Sequence, residues 1–218
     1  MRLLRDNGLT IVLMLLFGVS IVGQLLAGWH VELTDAARHH QPGMSLPEYA
    51  HSASFVAAVF ENWESEFLQM SAYVMLTAVL FQRGSAESKD PDAVPRDDNL
   101  AAKARADGAP NILRQGHVWR ALYGRSLGLA LAALFLVSFV FHWIASARTA
   151  AEEAIEHGEP ALSVSAYLFS SQLWFESFQN WQSEFLSTAV LVVLSIFLRQ
   201  KESPESKPVA APHTQTGA

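Results

Sequence analysis

Apolar and polar positions along this chain are segregated into blocks. Residues 9–28 run for 20 positions without a charge, and residues 126–147 run for 22 positions whose sole ionisable group is His142. As helices rising about 1.5 Å per residue, each covers the roughly 30 Å hydrocarbon core of a bilayer. Two shorter apolar runs, 67–82 and 185–198, reach that length only if the residues before them join the helix. A soluble bundle needs polar faces at helical period, and the first and third runs have none. The pattern predicts an all-α, integral membrane four-helix bundle.

The second half repeats the first. Sliding the sequence by 118 residues aligns 4–89 with 122–207 without a gap, with about a third of positions identical. The densest match is N-W-x-S-E-F-L, which places Asn62 on Asn180, Trp63 on Trp181, Ser65 on Ser183 and Glu66 on Glu184. Each unit holds two spans, so both enter and leave on the same side. The repeats are therefore parallel, with a pseudo-two-fold axis along the membrane normal. The expected organisation is a first two-span repeat over 1–83, a cytoplasmic linker over 84–119, a second repeat over 120–203 and a disordered tail over 204–218. Ser45 and Glu48 have capping-box spacing, so helices over about 47–60 and 164–178 are expected on the outer side. Their aromatic content suits either the interface or a simple extension of the spans.

Charge then sets orientation. Thirteen of the 15 Lys and Arg residues lie at the termini or in the central connection, while the other two connections hold Arg38 and Arg148 alone. This asymmetry places both termini in the cytoplasm. Residues 2–28 resemble a secretory signal at their start, but the run is too long and no A-x-A site follows.

The repeated motif offers the candidate chemistry. Counted back from Arg83 and Arg199, Glu66 and Glu184 fall about 25 and 22 Å along a helix, near the outer edge of the hydrocarbon. Asn62, Glu66, Gln69, Tyr73 and Thr77 make one polar stripe at helical spacing; Asn180, Glu184, Ser187, Leu191 and Ser195 repeat it with one apolar substitution. Gln24 and His142 occupy matching places in the other two spans. Together Asn62, Glu66, Asn180, Glu184, Gln24 and His142 form a candidate polar or ion site, suited to protons or cations. A second reading makes Asn62 and Asn180 helix caps and Trp63 and Trp181 interfacial anchors.

Other chemistries find little support. Cysteine is absent, and the P-loop, G-x-G-x-x-G, H-E-x-x-H and G-x-S-x-G signatures are missing, so no enzyme class is implied. His39 and His157 correspond between the copies, but without convergent partners no metal site and no cofactor is expected. Basic residues interleave with acids, which speaks against nucleic acid. The expected partners are the lipid bilayer, protons or cations, and a second copy or another envelope protein.

The strings NWESEFLQ, QRGSAESKDPD, FESFQNWQSEFLS and SIFLRQKESPESKPVAAPH resemble, over essentially the whole length, a bacterial family of small duplicated membrane proteins catalogued only as a domain of unknown function. The resemblance implies a multi-pass protein of the bacterial plasma membrane and carries no assigned catalytic or binding residue. The functional expectation is a non-enzymatic structural or interaction protein of the envelope. The alternatives are a small proton or cation channel or transporter using the paired Glu residues, or a membrane enzyme.

Overall fold

The computed structural model describes residues 2–93, 99–106 and 108–217, without the side chains of residues 2 and 3. Arg96, one of the orientation-setting cations, and part of the central linker lie outside them. Every regular element among the described residues is helical: α1 (Arg2–Arg38), α2 (Leu46–Ala50), α3 (Ala53–Val79), α4 (Leu100–Lys103), α5 (His117–Tyr123), α6 (Ser126–Glu156), α7 (Val164–Tyr167) and α8 (Ser171–Phe197), with a 3-10 turn at Asn111–Arg114.

Among the described residues two helices, α1 and α6, are long and apolar enough to cross a membrane. The four expected spans are thus reduced to two on this criterion. At 27 residues each, α3 and α8 are also long enough. Their N-terminal halves, however, hold Glu61, Glu64, Glu66, Glu176 and Glu184, which dilute the apolar character. Nor is a closed four-helix bundle established. The apolar side chains of α1 are exposed along its length, Leu9 by 76% and Val19 by 71%.

Local endings recur 118 residues apart. At the end of α1, Gln41 N–H bonds to Ala36 O at 2.8 Å while His40 turns left-handed at φ 56°. At the end of α6, Glu159 N–H bonds to Ala154 O at 2.7 Å around Gly158 at φ 71°. Both are Schellman endings, which satisfy carbonyls the helix leaves open. Serines then start the next elements. Ser52 Oγ accepts from Phe55 N–H at 3.2 Å before α3, and Ser170 Oγ accepts from Leu173 N–H at 3.2 Å before α8. These caps correct the expected outer helices. Instead of single helices over 47–60 and 164–178, the chain makes the short α2 and α7, breaks, and starts long helices that run through the motif.

The molecule divides into two compact units. One comprises Met1–Phe60 and Phe141–Phe169, the other Glu61–Val140 and Ser170–Ala218, with boundaries inside α3 and α6. In the first unit, indoles tie the long helices to the segments that follow them: Trp29 Nε1 donates to Met44 O in the loop before α2 and Trp143 Nε1 to Val164 O at the start of α7, each at 2.8 Å. Tyr49 packs so close to α1 that a Cβ on Gly28 would clash with its Oη. Tyr49 and its counterpart Tyr167 are both buried.

In the second unit the C-terminal segment folds onto the end of α3. Lys207, 1% exposed, donates from Nζ to the carbonyls of Gly84 (2.5 Å), His213 (3.0 Å) and Gln215 (2.9 Å). Gly217 N–H adds a bond to Ser85 O at 2.9 Å, and Gly84 N–H one to Thr216 Oγ1 at 2.9 Å. Gly84 sits at φ +83°, and a Cβ there would lie 2.7 Å from His213 O, so this clasp requires glycine. The matching exits of α3 and α8 share one loop geometry. Gln82 N–H bonds to Ser88 Oγ and Gln200 N–H to Ser206 Oγ, both at 2.9 Å.

Candidate functional site

Because α3 and α8 start at Ser52 and Ser170, both copies of N-W-x-S-E-F-L lie well inside continuous helices. Asn62 and Asn180 are therefore not N-caps. The local reason is that the serines upstream already satisfy the first-turn amides.

Within the second unit the motif joins α3 to α8 through polar contacts. Asn180 Nδ2 donates to Glu61 Oε1 at 2.5 Å, Trp181 Nε1 donates to Glu64 Oε1 at 2.9 Å, and Gln69 Nε2 donates to Thr188 Oγ1 at 2.6 Å. Beyond the helix end of α3, the hydroxyls of Ser85 and Ser195 lie 2.8 Å apart. Partners ascend together on both helices, so the helices run in the same direction here. Glu64 has no exposed surface and Ser65 is 2% exposed. A carboxylate in that setting requires donors, and the Trp181 indole supplies one.

The expected stripe thus turns partly onto protein. Gln69 meets α8, Tyr73 Oη donates to Glu87 Oε2 at 2.7 Å, and Thr77 Oγ1 bonds back to Tyr73 O at 2.8 Å. Asn62 and Glu66 are exposed, while Asn180 and Glu184 are half-buried. Glu184 feels the negative charge of Glu66, so these two carboxylates are electrostatic neighbours. Gln24, half-buried, and His142, fully buried, belong to the other unit.

The two motif tryptophans are both half-buried. Trp181 packs edge-on against Trp174 (6.2 Å between centroids), Phe178 (5.4 Å) and Phe135 (6.1 Å), which orients its N–H toward Glu64. Among the described residues no group of three or more His, Cys, Asp or Glu could hold a metal ion.

Sequence reasoning missed Glu61 and Glu64. The signal was present in the comparison of the two copies: Glu61 aligns with Gln179 and Glu64 with Gln182, an acid in the first copy and an amide in the second. In the structure these first-copy acids meet Asn180 and Trp181, while Gln179 and Gln182 stay exposed. Trp29 and Trp143 were also missed, since neither has a tryptophan at the matching position of the other copy, and Lys207 was missed although it aligns with Lys89.

One family model, described as a domain of unknown function (DUF6766), matches residues 1–218. The chain belongs to the DUF6766 family. No curated protein and no solved structure matches it. For a DUF6766 chain, then, the polar ladder between α3 and α8 is the site from which a function must be argued.

Proposed function

We propose that this protein is a duplicated integral membrane protein of the bacterial plasma membrane, with a non-enzymatic structural or interaction role in the envelope. In this reading the repeated motif is a polar clamp between parallel helices. The observation that carries it is the Trp181 to Glu64 bond at 2.9 Å onto a fully buried carboxylate. An aromatic N–H and a desolvated acid locked together form a fixed joint and leave little freedom for a moving charge.

Several observations support the duplication. The bounds of α8 equal those of α3 shifted by 118, and the helix endings at His40 and Gly158 correspond in the same way. The cross-helix partners Glu61 with Asn180, Glu64 with Trp181 and Gln69 with Thr188 are separated by 119, 117 and 119 residues. Helices related by a pseudo-two-fold axis meet through equivalent positions, and these separations fit that geometry. The exposed apolar side chains of α1 then face lipid. The Lys and Arg asymmetry puts both termini in the cytoplasm.

A second reading, a proton or cation pathway through Glu66 and Glu184, is favoured by their electrostatic proximity. Flux in proteoliposomes separates the two. The structural reading expects no proton or cation flux above protein-free vesicles under either gradient polarity. Flux in the wild type that the Glu66→Gln, Glu184→Gln double variant abolishes, with folding retained, would replace it by transport.

A further inference from the structure

In the unit formed by Met1–Phe60 and Phe141–Phe169, a cleft of about 610 Å³ opens between the α2 segment and the outer half of α6. Its apolar wall includes Phe141 and Ile144, its ionisable groups are Glu48, His51, Arg148 and Glu152, and Ser52 adds a hydroxyl. The charges are neither mutually neutralised nor fully used. Arg148 and Glu152 stand four residues apart on α6, yet neither has an ion-pair or hydrogen-bond partner among the described residues, and both are exposed.

The α2 side is pre-organised. Ser45 N–H and Ser45 Oγ both donate to Glu48 Oε2 at 2.7 Å, which leaves Oε1 of the same carboxylate open. His51 Nδ1 lies 2.8 Å from Pro47 O. A carbonyl can only accept, so Nδ1 carries the proton and Nε2 of the neutral ring keeps its lone pair. The cleft therefore offers acceptors on the α2 side, one acid and one guanidinium on α6, and an apolar wall beside them.

We propose that this cleft binds the headgroup of a zwitterionic ethanolamine phospholipid. The guanidinium of Arg148 pairs with the phosphate, as its planar fork favours, while the ammonium donates to the Glu48 and Glu152 carboxylates. The glycerol and upper acyl carbons lie on Phe141 and Ile144. An ammonium with three N–H donors fits carboxylate acceptors; a choline has none and favours aromatic cages, which this cleft lacks. A purely anionic headgroup meets two acids against one guanidinium. The inference rests on the membrane reading given above.

The test uses the full-length protein in non-ionic detergent micelles doped with phosphatidylethanolamine, phosphatidylcholine or phosphatidylglycerol, with retained lipid read by native mass spectrometry. Retention of phosphatidylethanolamine about tenfold above the other two is expected. Arg148→Gln and Glu152→Gln should each remove most of that preference, while Glu153→Gln, outside the cleft, should leave it intact. Equal retention of the three lipids, or a preference unchanged in both cleft variants, overturns the proposal. Soluble phosphoethanolamine displacing the lipid at equal concentration would assign the cleft to a free zwitterion and overturn the lipid assignment. Alkaline carbonate extraction of native membranes reports the membrane reading separately. A chain that stays in the pellet but shows no headgroup preference defeats this inference alone.

Discussion

The indole N–H of Trp181 on α8 donates to the carboxylate of Glu64 on α3 at 2.9 Å, and Glu64 is fully buried. A buried hydrogen bond to a charged group is worth about 1.5–3 kcal/mol, and leaving one partner unsatisfied adds a desolvation cost. Glu64→Ala and Trp181→Phe should each lower stability in detergent by about 2 kcal/mol. The double variant should lose less than the sum, since both changes break one contact. Thermal or denaturant unfolding of the four proteins measures this. Additive losses would mean that the pair is not coupled.

Glu66 and Glu184 behave differently. Glu66 is exposed, and Glu184 has a like charge as its electrostatic neighbour. Replacing either by Gln removes repulsion without opening a cavity, so stability should stay within about 0.5 kcal/mol of wild type or rise slightly. The same unfolding assay applies. A loss as large as that of Glu64→Ala would make the retained pair a structural acid site.

Lys207 closes the C-terminal clasp with three short bonds to the carbonyls of Gly84, His213 and Gln215. Lys207→Met keeps the apolar stem and deletes the donors, leaving those carbonyls unmatched. Opening of the segment over 208–217 should become about tenfold easier, read as faster proteinase K cleavage there and as lost amide protection at Gly84 and Gly217. Lys89→Met is the control, because its ammonium, from the loop after α3, caps Ala78 O near the end of that helix and bonds to no carbonyl of the clasp.

The cap of α2 should respond to acid. Two bonds from Ser45 hold the Glu48 carboxyl below its usual range. A carboxylate with a lowered folded pKa contributes stability that is complete above the ordinary glutamate value and is lost as pH falls through the lowered one. A 13C titration of the Glu48 carboxyl should show the depressed midpoint, and Ser45→Ala should move it back up.

Much of the fold was legible because one-dimensional signals carried it. The charge-free runs identified α1 and α6 by length alone, and the left-handed turns that end these helices, at His40 and Gly158, stand 118 residues apart. The motif was found for the same reason. Its local setting was misread, since Asn62 and Asn180 have the chemistry of caps while Ser52 and Ser170 perform that role upstream.

What the sequence determined by itself is periodic or local: all-helical character, two strongly apolar helices, the recurrence of N-W-x-S-E-F-L, and the glycine and serine punctuation between elements. Tertiary structure decided which carboxylate is buried. Glu61, Glu64 and Glu66 share one stretch of α3, and nothing in their spacing ranks them. Only the approach of α8 presents Asn180 to Glu61 and the Trp181 indole to Glu64, while Glu66 stays exposed with the charge of Glu184 for a neighbour. Desolvation depends on every atom that covers a group, and those atoms come from residues more than a hundred positions away.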